Sequence, residues 1–201
     1  MGLFSSVFSG FRVAGKFQFG RRAFLAKKYE DALRYFQRVA QSNPDYIFVS
    51  GNFRESIWTF IGRAQYYLGQ FGDARQSLER AILANPDDCL AKLFLGLTFA
   101  RENDYSNGQR EIESGLRGLY DWIGETNSAD HFNVLWDPQR EIRMEIEKCL
   151  AKIANKCLAK IANKGADWQE VIASGEWLGQ RMEDEIDQVQ RDESRRFSEE
   201  S

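Results

Sequence analysis

The sequence predicts an all-α fold, a solenoid of about three helix-turn-helix repeats followed by two long C-terminal helices. Three observations carry that expectation. One pattern recurs between Glu55 and Tyr120: Gly62 returns as Gly96, Phe71 as Tyr105, Ala74 as Gly108 and Leu78 as Ile112, each pair 34 positions apart. Asn43-Pro44-Asp45 and Asn85-Pro86-Asp87 punctuate the repeats, since proline removes a backbone donor and restricts the residue before it. Beyond Pro138, apolar residues recur every three or four positions, the spacing of one helix face.

A period of 34 residues with aromatic, Gly, Ala and Pro landmarks is the signature of a two-helix repeat. Trp58, Ile61 and Gly62, then Ala74 and Leu78, then Pro86 occupy those places, and Gly20, Tyr29, Ala32, Phe36 and Pro44 form a weaker upstream copy. An extra segment, Ile47 to Arg54, separates that copy from the next. On these residues the chain resembles the tetratricopeptide repeat (TPR) family over roughly its first 120 positions. The resemblance implies stacked helical hairpins with a concave face lined by the first helix of each pair.

The same positions make physical sense alone. Small residues suit places where helices cross closely, as at Gly62, Ala74, Gly96 and Gly108, while Trp58, Leu78, Phe94 and Ile112 fill the space beside them. Neither helix of a pair buries its apolar stripe alone, so pairs stack. Helices are expected at about 11–26, 30–42, 54–69, 71–84, 88–103 and 105–119, with no strands.

Taken in order, the chain divides into a basic amphipathic segment (1–15), the repeats (16–120), an aromatic connector (121–137), two helices (138–192) and a charged tail (193–201). Residues 1–29 hold six basic residues and no acid, leaving 21 basic against 30 acidic residues in the remainder. Leu3, Phe4, Val7, Phe8 and Phe11 fall at helical spacing beside Arg12, a stripe suited to capping the first repeat, docking on a partner or lying in a lipid interface. Met1-Gly2-Leu3-Phe4-Ser5-Ser6 also fits the short N-myristoylation pattern. The basic start and acidic end raise head-to-tail self-association as a further expectation.

Trp122, Ile123, Phe132, Leu135 and Trp136 make the connector too apolar to stand free in water, so it is expected to fold back on the last repeat. Asp137-Pro138 reads as a helix start. The helix beyond it carries Ile142, Ile146, Leu150, Ile153, Cys157 and Ile161, and contains KCLAKIAN twice, at 148–155 and 156–163, which reads as a spacer. Gly165 should break it. A last helix should start near Asp167 with Trp168, Val171, Ile172, Leu178, Met182, Ile186 and Val189 on its stripe, and fray after Asp192.

Composition excludes several function classes. The 201 residues are 43% apolar and 28% charged with net charge −3, an ordinary globular balance that lacks the basic face nucleic-acid binding needs. Three cysteines without a CxxC, Cys89, Cys149 and Cys157, point to a reducing, cytoplasmic setting. His131 is the only histidine and has no companions for a metal site or a catalytic triad, and phosphate-cradling or HExxH motifs are absent. The expectation is a chain without catalytic residues, cofactor or metal.

Binding is the better prospect. Off the core stripe of the first helices lie Phe17, Arg21, Phe24, Thr59, Arg63, Tyr66, Tyr67, Leu93, Leu97 and Arg101, rich in the aromatic and arginine types that dominate partner hot spots. Some of them, especially Phe24 and Tyr66, could instead be buried between helices or covered by the final helix. The places where one TPR subclass grips a C-terminal carboxylate hold Phe17, Arg21, Leu90 and Phe94, so that clamp is missing. The expected partner is a protein segment, an amphipathic helix or an apolar peptide with some acid. The alternative is a peripheral membrane adaptor or accessory subunit held by the N-terminal stripe.

Overall fold

The computed structural model describes residues 3–128, 135–158 and 164–199, with the backbone alone described at 3–12, 155–158, 164–167, 193 and 196–199. Three helical hairpins stack in order: α1 (Leu3–Leu25) with α2 (Tyr29–Ser42), α3 (Ile57–Tyr67) with α4 (Phe71–Ala84), and α5 (Cys89–Arg101) with α6 (Tyr105–Ser128). Each hairpin turns in the same way. Lys27, Gly69 and Asn103 take left-handed φ values of 58°, 74° and 64°. The next amide then donates five residues back, Lys28 to Ala23 O, Gln70 to Gln65 O and Asp104 to Phe99 O. This closure satisfies carbonyls that the helix end would otherwise orphan.

The glycines of the 34-residue pattern sit where helices touch. A Cβ on Gly62 would lie 2.5 Å from Leu78, and one on Gly96 would lie 2.5 Å from the amide nitrogen of Ile112 and 2.8 Å from Gly108 O. Backbone meets backbone at the α5–α6 crossing. Between these hairpins, Asp88 caps α5 by accepting from Ala91 N and also accepts from the Thr59 hydroxyl and Ser56 N, tying the starts of α3 and α5 together.

The expectation of no strands is corrected by a two-stranded antiparallel hairpin, β1 (Ile47–Ser50) and β2 (Phe53–Ser56), in the extra segment between the first two repeats. Ile47 pairs with Ser56 and Ser50 with Phe53, and Gly51, at φ 56°, begins the two-residue turn. Two-residue loops with positive φ match the twist of the strands they join. Phe48 and Phe53 point inward and are buried, and β1 contacts the last helix.

Three boundaries also differ from expectation. The stretch 121–128 is helical, as the end of α6, and the connector closes through a ring cluster of Phe53, Trp122 and Trp136 with centroids 4.8 Å apart for Phe53–Trp122 and Trp122–Trp136. Asn127 pins Trp136 by exchanging two hydrogen bonds with its backbone. The next helix, α7 (Glu141–Leu158), starts three residues later than Pro138, because Asp137 and Arg140 take φ values of 50° and 61°. The Asp137 carboxylate still serves that helix end, accepting from Ile142 N and Arg143 N. Finally, α8 (Lys164–Glu199) includes Gly165 and continues past Asp192, 36 residues or roughly 54 Å of helix. His131, Phe132 and most of the second KCLAKIAN copy lie outside the described residues.

Gly96→Val should destabilise the chain by about 3 kcal/mol in urea unfolding, because rigid backbone has to move. Gly72 should accept alanine without loss, since a Cβ there would meet nothing within 4 Å.

Candidate interaction groove

The three first helices, α1, α3 and α5, turn one side toward α8, and α8 lies against it. Its apolar stripe is Val171, Ile172, Leu178, Met182, Ile186 and Val189, all buried. Two small residues on the same helix allow the approach. A Cβ on Gly175 would stand 2.7 Å from Leu97, and one on Gly179 would stand 2.5 Å from the Phe94 ring.

Four residues after Gly179, Glu183 reaches the centre of the groove, fully buried. Its Oε1 lies 2.5 Å from Arg63 Nη1, and its Oε2 lies 3.5 Å from Arg21 Nε. Arg63 is fully buried too, donates from the same nitrogen to Glu55 Oε1 at 3.2 Å, and donates from Nη2 to Gly179 O. The rings of Phe24 and Phe94 lie 5.0 and 4.9 Å from its guanidinium carbon, within cation–π range. Burial works against the Arg63 charge, but the carboxylates of Glu183 and Glu55 outweigh it and hold the proton more tightly. Arg63 remains a cation.

Glu55 is the member that yields. Burial pushes its pKa well above the ordinary carboxylate range, with Arg63 opposing and Glu183 and Asp88 adding to the rise. Asp88 is raised by burial as well, against the hydrogen bonds from Thr59, Ala91 and Ser56. At the edge of the groove a second carboxylate, Glu176, accepts from Tyr66 OH and from Arg101 Nη2, both at 2.6 Å. At the other edge Arg21 donates to Gln190 and lies 3.9 Å from Asp187.

The residues expected to meet a partner therefore divide into two groups. Arg21, Arg63, Tyr66, Leu97 and Arg101 contact α8 of their own chain. Phe17, Phe24, Thr59, Tyr67 and Leu93 sit beneath, between helices. Phe17 packs with Phe36, Tyr46, Phe48 and Phe60, Phe24 with Tyr29 and Tyr67, and Tyr67 stacks on Tyr29 at 4.6 Å. Thr59 is spent on Asp88, and Leu93 lies where α5 meets Gly115 of α6. Leu3, Phe4, Val7, Phe8, Phe11 and Arg12 belong to one continuous helix with the first repeat, and their side chains lie outside the described set.

Sequence reasoning missed Glu55, Glu176, Gly175, Gly179 and Glu183. A signal existed for α8: Gly175, Gly179 and Glu183 are each four apart, one helix face, among apolar residues. Nothing local marked Glu55, which reads as one of many surface acids.

Among the described residues no group of His, Cys, Asp and Glu could hold a metal ion, and no helix is long and apolar enough to cross a membrane. Burial raises the Cys89 thiol to about 11, with the nearby Asp88 adding, so it stays protonated at neutral pH.

Glu55→Gln should separate from the parent in its pH dependence. The folded chain keeps a proton on Glu55 that the unfolded chain releases above its ordinary pKa, so this group lowers stability progressively as pH rises above about 4.5. Unfolding in urea at several pH values should show the variant gaining on the parent from about pH 4.5 upward. A constant gap would contradict the assignment.

No curated protein matches the chain. Among solved structures it is similar to the Sgt2 TPR domain from Aspergillus fumigatus, at 19% identity over 54% of this chain and 66% of that one, with a TM-score of 0.46. The alignment thus spans just under two thirds of that domain. It is also similar to a chain of the CopN-Scc3 complex, at 16% identity over 68% of this chain and 67% of that one, with a TM-score of 0.47. The family model described as Tetratricopeptide repeat matches residues 61–108, which begin in α3 and end in α6 across the 34-residue pattern, so this stretch of the chain is similar to that repeat.

Proposed function

We propose that this chain is a non-catalytic assembly module whose groove receives an acidic amphipathic helix, α8 being the resident one. The observation that carries the reading is the seating of Glu183 between Arg63 and Arg21 while Gly175 and Gly179 of the same helix pack on Leu97 and Phe94. A helix laid in a groove through regularly spaced anchors is a general mode of protein recognition. A partner presenting such a helix competes with α8, so assembly and release of α8 are linked through mass action.

The second reading, a peripheral adaptor or membrane-complex subunit, draws on the helical backbone of residues 3–12, which keeps Leu3, Phe4, Val7, Phe8 and Phe11 at helical spacing beside Arg12. One helix would then join a lipid or protein anchor to the first repeat.

Full-length Gly179→Leu, a substitution outside the repeats that wedges α8 against Phe94, should bind a labelled peptide of residues 168–195 in fluorescence anisotropy, while the parent chain should not. Absence of binding with helicity intact would remove the groove as a receptor. Deleting residues 1–12 should abolish recovery with anionic liposomes in flotation if the second reading holds, and unchanged recovery would dismiss it.

A further inference from the structure

The groove does more than accept an apolar helix; its walls select one. Leu97 and Phe94 on α5 stand so close to α8 that a Cβ at 175 or 179 would fall 2.7 or 2.5 Å from them. Any residue larger than glycine at those two places has to displace the Leu97 side chain or the Phe94 ring, both packed in the core, or push α8 outward. An outward shift of α8 would draw Glu183 away from Arg63, because the ion pair is only 2.5 Å long and Arg63 also holds the backbone carbonyl of Gly179. The steric and electrostatic demands are therefore coupled along one helix face.

The charge side is equally specific. Arg63 and Arg21 are buried to 0% and 3% exposure, and Glu55 is the groove's own carboxylate for them. Without an acid from the occupant, two guanidiniums face one carboxylate that burial already drives toward its neutral form. An uncompensated buried charge is strongly unfavourable. The rim adds a second requirement, because Tyr66 OH and Arg101 both converge on Glu176, the residue next to Gly175. At the far end the one side-chain hydrogen bond of Arg21 among the described residues goes to a neutral amide, Gln190, while the carboxylates of Glu183 and Asp187 stand 3.5 and 3.9 Å off and its Nε and Nη2 find no hydrogen-bond acceptor there.

Resting on the proposed reading of the groove as a helix receptor, we infer that it recognises a partner helix of the pattern small-acid-x2-small-x3-Glu, matching Gly175, Glu176, Gly179 and Glu183. An acid seven residues beyond that Glu, where α8 has Gln190, improves the fit by putting a carboxylate within hydrogen-bond reach of Arg21, whose present carboxylates, Glu183 and Asp187, stand at 3.5 and 3.9 Å. The resident helix is thus a competent but not optimal occupant. A partner that carries the acid displaces it.

The test uses the full chain opened in two independent ways, Gly179→Leu and Glu183→Arg, the second placing a cation against Arg63 and Arg21. Labelled peptides of residues 168–195 are titrated onto each: the native sequence, Gly175→Leu, Gly179→Leu, Glu183→Gln and Gln190→Glu. The expected result is binding of the native peptide, at least tenfold weaker binding of the first three variants, and tighter binding of Gln190→Glu. Native and Gly175→Leu, Gly179→Leu and Glu183→Gln peptides binding alike would overturn the recognition pattern while leaving the groove a helix receptor. No binding of the native peptide to either opened chain, with circular dichroism reporting folded repeats, would overturn both.

Discussion

A guanidinium with no access to water organises this molecule. Arg63 lies nearly two turns into α3, and acidic side chains meet it from two directions, Glu55 from the strand beside it and Glu183 from a helix 120 residues away. Removing one member of such a buried set typically costs about 3–5 kcal/mol, since the others are left uncompensated. The hairpin of strands, the middle repeat and the last helix consequently share one electrostatic constraint. Phe24 and Phe94 bring the flanking repeats into the same arrangement, each placing its ring about 5 Å from the guanidinium.

That constraint also explains how the polarised charge of the chain is used. The acid-free first segment and the acidic last helix meet within one molecule, at Arg21 with Glu183 and Asp187. Secondary ties hold α8 on its other side: Ser174 donates to Glu145, Arg181 pairs with Glu141, and Glu185 accepts from the backbone of Asp137. The last helix is therefore gripped between the repeats and α7.

The repeats were legible because their information is local. Gly62, Gly96 and Gly108 mark crossings by the absence of a side chain, and a 34-residue period makes that absence visible. The strands were harder to see, being four residues each, although Ile47-Phe48-Val49 followed by Gly51-Asn52 carried a turn signal. The role of Arg63 was illegible for a different reason. An arginine off the apolar stripe looks like a surface residue, and its burial depends on Glu55 and Glu183, whose approach no window of sequence reveals. Asp137 taught a smaller lesson: its carboxylate caps a helix as its type suggests, but from outside the helix, across a turn that Asp137 and Arg140 form with left-handed backbones.

The great length of α8 gives its attachment a graded character. Beyond Val189 the described side chains pair along the helix itself, Arg191 to Asp187 and Arg195 to Asp192, in water where such pairs are worth little. Pulling from that terminus would first meet the hydrogen bond between Arg21 and Gln190 and then a steeper step, where Glu183 leaves Arg63 and Arg21. Detachment has the mechanics of a zipper with a clasp near its middle: the free end can be worked loose repeatedly, and only force or affinity that reaches Glu183 makes the opening complete.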